Sequence, residues 1–98
     1  MKSATVIKMP CQLGLHARVA ARFILFVKRF HSKVRIRKGS LEVNGKSILG
    51  LLLLGASWNS RLHIKAEGDD ADSAIAQIEL YFLTPEHCGD HVANLETR

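Results

Sequence analysis

The residues best suited to do chemistry form one short run, Gly14-Leu15-His16-Ala17-Arg18. An imidazole is a nucleophile whose neutral form is available near pH 7. Two residues on, the Arg18 guanidinium offers paired N–H donors that match the oxygens of a phosphoryl group. Gly14 ends a loop and an amphipathic segment follows, so His16 falls at a helix start. The first N–H groups of a helix lack intrahelical partners, and the dipole there favours negative charge. An anion held at that end meets donors already in place, the backbone N–H of Ala17 among them. An N–P bond is weak, so a phosphoryl group taken up on His16 can leave again. The run therefore suits transfer rather than storage. A histidine that merely opens a surface helix shows the same local pattern, and this run alone does not separate the two.

Other candidates are weaker. Ser47 precedes an apolar run and suits an N-cap, accepting a hydrogen bond from a backbone N–H. Ile48, Leu49 and Leu52 then make an apolar patch beside it, while Leu51 and Leu54 suit the core. That segment holds more leucine than one buried side absorbs, and an exposed remainder suits a transient partner interface. Arg22, with Lys28 and Arg29, forms a solvated basic face that can also steer an acidic partner. His87, Cys88 and His91 lack a fourth ligand at useful spacing, so neither a metal nor another cofactor is expected. Trp58 lies in a loop and carries no functional assignment.

The elements that must position His16 follow from periodicity. Residues 3–9 alternate and close on Pro10, which predicts a strand. Val19, Ala20, Phe23, Val27 and Phe30 recur at three and four, predicting a helix over 17–30. Residues 33–37 and 41–43 make a hairpin around Lys38-Gly39-Ser40, with Lys33, Arg35 and Arg37 outward. A short helix over 47–54 ends at Gly55. Residues 61–66 alternate again, and a last helix capped by Asp70 or Asp72 runs to about residue 83. The order βαββαβα predicts an α+β fold, a four-stranded, mainly antiparallel sheet with three helices on one face. One domain over 1–85 and a frayed polar tail over 86–98 are expected.

Composition narrows the classes. The chain has 98 residues, enough for one domain with its own core. Its most apolar stretch, residues 48–56, falls far short of the roughly 18 residues that span a bilayer. No signal-peptide pattern opens it, so a cytoplasmic protein without membrane insertion is expected. Its two cysteines, Cys11 and Cys88, form no CxxC pair, and two free thiols are expected. A net charge of +5 predicts attraction to anions. Nucleic acid is not favoured, because no stacking aromatics accompany Arg35, Arg37 and Lys65.

Three blocks in order carry a family resemblance. Leu13-Gly14-Leu15-His16-Ala17-Arg18, with Ala20-Ala21 after it, resembles the active-site segment of the HPr family, the histidine-containing phosphocarriers of the bacterial phosphoenolpyruvate-dependent phosphotransferase system. Val43-Asn44-Gly45-Lys46-Ser47-Ile48-Leu49-Gly50-Leu51 resembles that family's second helix and the serine before it. Ile64-Lys65-Ala66-Glu67-Gly68-Asp69-Asp70 resembles its fourth strand and following turn. The likeness spans residues 4–83 and implies the open-faced β-sandwich.

By that resemblance, His16 takes a phosphoryl group on Nδ1 from phospho-enzyme I and passes it to an enzyme IIA-type domain. Arg18 steadies the group, the first two helices form the docking face, and the chain works as a monomeric carrier rather than an enzyme. In some members the matching serine is modified by a kinase, which makes Ser47 a regulatory candidate whose added charge would weaken docking. Leu13 and the 74–82 segment resemble the nitrogen-related branch rather than the sugar-uptake branch. One departure stands out: Val19 occupies a position where the family has proline, which restores an N–H and gives up a fixed φ. A regulatory binding module with weak or no phosphotransfer is the alternative this departure supports.

Overall fold

Alternation along the strands sorts side chains to two faces, and in the computed structural model, which describes residues 1–88, one face is covered by helices. The elements are β1 (Lys2–Lys8), α1 (Ala17–Val27), β2 (Lys33–Lys38), β3 (Leu41–Asn44), α2 (Ile48–Leu54), β4 (Arg61–Glu67) and α3 (Ala71–Leu83), followed by a 3-10 turn, Pro85–Cys88. The sheet order is β1-β4-β2-β3 and every neighbouring pair is antiparallel. Val34, Ile36, Leu62, Ile64 and Ala66 point inward and are buried, while Lys33, Arg35 and Lys65 point outward. This is the α+β open-faced sandwich the element order predicts.

The helices bury their apolar stripes on that inner face. Val19, Ala20, Phe23 and Val27 of α1 are buried, as are Ala71, Ala74, Ile75, Ile78, Tyr81 and Phe82 of α3. Phe23 joins the two helices, stacking on Phe82 at 5.4 Å and meeting Tyr81 edge-on at 5.6 Å. Aromatic pairs of this kind add about 0.5–1.5 kcal/mol beyond their burial. Helix α1 stops at Val27, three residues before the expected end. The chain there tightens, with Arg29 N–H donating to Phe26 and Phe30 N–H to Val27, three residues back in each case.

Three expectations are corrected. Asp70 occupies the N-cap position of α3, and its carbonyl accepts from the Ala74 N–H at 2.8 Å, but its side chain makes no cap bond. Its carboxylate accepts instead from the His31 N–H at 2.8 Å, the Ser32 N–H at 2.9 Å and the Ser32 hydroxyl. Those bonds, the Ser32 hydroxyl first, hold its pKa down to about 2. The cysteines are not free thiols: Cys11 and Cys88 form a disulfide across 77 residues. The expected tail begins too early, since residues 86 to 88 belong to the 3-10 turn and Cys88 is buried. The rest of that tail, including His91, lies outside the described residues.

Candidate functional site

The loop ahead of α1 is folded by its own backbone. Gly14 takes φ +75°, and the Gly14 N–H donates to the Cys11 carbonyl at 2.9 Å. The Leu15 N–H reaches across to the Ala56 carbonyl at 2.8 Å, which fastens this loop to the segment after α2. A side chain at Gly14 would place its Cβ 2.5 Å from that same Ala56 oxygen. Only glycine fits both the conformation and the approach.

His16 is thereby set at the N-cap of α1, with extended backbone (φ −87°, ψ 178°) and no side-chain cap bond. Its carbonyl already accepts from the Ala20 N–H at 2.8 Å, so the helix begins there. The first turn carries no acidic residue. The N–H groups of Ala17, Arg18 and Val19 have no intrahelical acceptor to reach, and the positive end of the dipole stays uncompensated. The Arg18 side chain is exposed and makes no hydrogen bond or ion pair with a described residue. Val19 is 1% exposed, so the valine at this position fills the core.

The two ring nitrogens of His16 differ. Nε2 is covered and has no hydrogen-bond partner among the described residues, whereas Nδ1 does not share that cover. In the tautomer with the proton on Nε2, the lone pair of Nδ1 faces the accessible side. The arrangement can hold an anion at the helix end beside a nucleophilic nitrogen.

Helix α2 supplies the remaining predicted residues. Ser47 caps it, its hydroxyl accepting from the Gly50 N–H at 3.0 Å, and Gly55 closes it in the left-handed conformation. Leu51 and Leu54 are buried, while Ile48, Leu49 and Leu52 are exposed, Leu49 by 65%. Two more exposed leucines were not read from the sequence as part of an apolar patch. Leu53 lies on α2 itself, and Leu13, 71% exposed, stands three residues before His16. Their apolar type, just ahead of the helix start for Leu13 and beyond the buried stripe for Leu53, was the available signal. Helix α1 packs against α2, and Arg22 is exposed on α1.

Among the described residues no group of three His, Cys, Asp or Glu is placed to hold a metal ion. His87 is engaged elsewhere, stacked on Tyr81 at 3.8 Å with Nδ1 2.7 Å from the Tyr81 carbonyl oxygen. Burial pushes the Tyr81 hydroxyl up, with the Arg22 charge opposing. No helix among the described residues is long and apolar enough to cross a membrane. Arg35 and Lys65 lie on the open face of the sheet, away from the helices, where Lys65 pairs with Glu42 at 3.5 Å.

Comparison with known proteins matches this geometry to a family. Residues 4–83 match the family model described as the phosphotransferase-system HPr component phosphorylation site. The phosphocarrier protein HPr of Pseudomonas aeruginosa is 41% identical over 71 residues, covering 70% of this chain and 79% of that one. That of Treponema pallidum is 38% identical over 69 residues, covering 70% and 78%. The crystal structure of HPr from Thermoanaerobacter tengcongensis superimposes with a TM-score of 0.80 at 33% identity, covering 89% of this chain and 96% of that one. These members are phosphocarriers that work with other phosphotransferase components and are not catalysts themselves. The chain belongs to the HPr family of phosphocarriers.

Proposed function

We propose that His16 is the phosphoryl acceptor of this chain, charged by phospho-enzyme I and discharged to an enzyme IIA-type domain. The observation that carries the reading is the open helix start: an imidazole at the N-cap with Nε2 but not Nδ1 covered, and first-turn N–H groups that no side chain among the described residues caps. In the forward step the Nδ1 lone pair attacks phosphorus. The bond from phosphorus to the donor's nitrogen breaks, and its electrons stay on the donor imidazole. The first-turn N–H groups and Arg18 then hold the phosphoryl oxygens.

Ile48, Leu49, Leu52 and Arg22 form the docking face, apolar anchors beside a steering charge. The carrier acts as a monomer in the cytoplasm. A kinase acting on Ser47 would take its hydroxyl from the α2 cap and put charge beside the apolar anchors, weakening docking. The regulatory, nitrogen-related branch is the finer placement, suggested by Leu13 and by the 74–82 segment.

The test is phosphorylation with enzyme I and phosphoenolpyruvate, read by intact mass. An acid-labile adduct of about 80 Da is expected, lost in His16→Ala. Arg18→Lys should slow uptake by about tenfold. An adduct that persists in His16→Ala would sink the reading. No adduct at all, together with saturable binding to a partner, would identify a binding module in place of a carrier.

A further inference from the structure

We propose that Cys11 and Cys88 form a reversible redox site that sets the order of the phosphorylation loop, an inference that rests on His16 being the phosphoryl acceptor. The placement is specific. Cys11 opens the segment that ends at His16, and its carbonyl accepts the Gly14 N–H, while the Gly14 carbonyl accepts the His16 N–H at 3.0 Å. The peptide unit that bears the sulfur is thus two hydrogen bonds from the reactive residue.

The other sulfur sits on a four-residue 3-10 turn. Through the described residues that turn is tied back by the His87 N–H to Thr84 and by the His87 ring on Tyr81. The disulfide is therefore the link that fastens the loop to this turn. The chain has no third cysteine, so the pair has two stable states, a disulfide or two thiols.

Disulfides of cytoplasmic proteins are mostly transient and serve catalysis or sensing. Here Cys11 is 2% and Cys88 6% exposed, so neither sulfur exchanges until the segment that carries it opens. The exchange balances as two cysteine thiols plus one oxidised low-molecular-weight disulfide of the glutathione class, giving the Cys11–Cys88 bond and two released thiols. It starts at Cys88 through a mixed disulfide, because the short turn lifts away more easily than a loop hydrogen-bonded on both sides. In the oxidised chain the loop is fixed at Cys11 by sulfur and at His16 by the helix. In the reduced chain the sulfur tie is gone and the loop samples more conformations, so fewer present His16 correctly.

The full chain is equilibrated in glutathione buffers of graded potential. Three readouts follow: alkylation by iodoacetamide, hydrogen exchange over 11–16 and 84–88, and phosphoryl uptake from phosphoenolpyruvate with enzyme I. One transition that adds two alkyl groups is expected, with exchange over 11–16 faster by about tenfold after reduction and uptake slower by about threefold or more. Cys11→Ser/Cys88→Ser should match the reduced chain and ignore the buffer, which separates this response from any redox sensitivity of enzyme I. If that variant does not fold, the wild-type chain reduced with dithiothreitol, alkylated and desalted before enzyme I is added gives the same comparison. Unchanged exchange over 11–16 in the two redox states, or thiols that remain alkylatable under oxidising buffer, would overturn the proposal. Redox-dependent exchange without an adduct in either state would retain the loop response and refute the phosphocarrier reading instead.

Discussion

Helices α1 and α2 start alike and are finished differently. Both cap residues are extended, His16 at φ −87° and Ser47 at φ −109°, and both follow a turn containing glycine. The Ser47 hydroxyl accepts a hydrogen bond from its own helix, whereas the His16 side chain makes no such bond. A serine at a cap stabilises a helix by about 1 kcal/mol over a residue that makes no cap bond. That stabilisation is present at α2 and forgone at α1. The end left open is the one beside the nucleophilic imidazole, so α1 is held from behind instead: by Val19 and Ala20 in the core, by Leu15 on Ala56, and by the disulfide. On the proposed reading of His16 as phosphoryl acceptor, α1 keeps its start available for an anion and relies on tertiary support in place of a local cap.

The sharpest way to break that contrast is Gly14→Ala. The new Cβ would meet the Ala56 oxygen at 2.5 Å while the backbone is kept at φ +75°. The left-handed penalty and the clash together predict a loss of about 2–4 kcal/mol. Urea unfolding measures it, and phosphoryl uptake on His16 should fall with it. A loss under about 0.5 kcal/mol would mean that the support behind α1 does not run through Ala56.

The third helix start gives a smaller effect, confined to acid. Asp70 sits at the α3 cap position yet serves His31 and Ser32, and its pKa is held down to about 2 from the ordinary 3.8. A carboxyl whose folded pKa is depressed contributes its stability in full above the unfolded value. That contribution drains away as pH falls from about 4 towards 2. Urea midpoints between pH 2 and 5 should fall more steeply for the wild type than for Asp70→Asn. Parallel profiles would show that the three hydrogen bonds carry no charge-dependent stability.

What the sequence disclosed and what it hid divide along range. The seven elements were legible because each depends on a period of its own residues, as in Val19-Ala20-Phe23-Val27 on α1 or Leu62-Ile64-Ala66 on β4. Local caps were legible too, Ser47 and Gly55 among them. Asp70 was misread because its real partners lie 38 and 39 residues away, and a cap position looks the same from sequence whichever way the carboxylate turns. The disulfide was misread for the same reason, since 77 residues of separation leave no spacing signal. At the site, the types and order of His16 and Arg18 were legible. The difference between Nε2 and Nδ1 was not, because cover over one ring atom is a property of the folded loop.

The smallest effect is the most direct test of the comparison, and it comes from exchanging the two finishes. Ser47→Ala removes the bond to Gly50 and should cost about 1 kcal/mol, lowering Tm by about 4–8 °C in a domain of this size. Ala17→Asp does the reverse at α1, placing a carboxylate in a first turn that has no acidic residue. A charge there stabilises a helix by about 0.3–1 kcal/mol, so Tm should rise by about 2–5 °C. The same carboxylate occupies the N–H groups that an incoming phosphoryl group needs and repels its oxygens, so uptake on His16 should fall as Tm rises. The two readouts moving in opposite directions would show that the open end of α1 is kept for an anion at the expense of stability. If uptake and Tm rose together, the missing cap at His16 would be incidental and the contrast with Ser47 would lose its functional meaning.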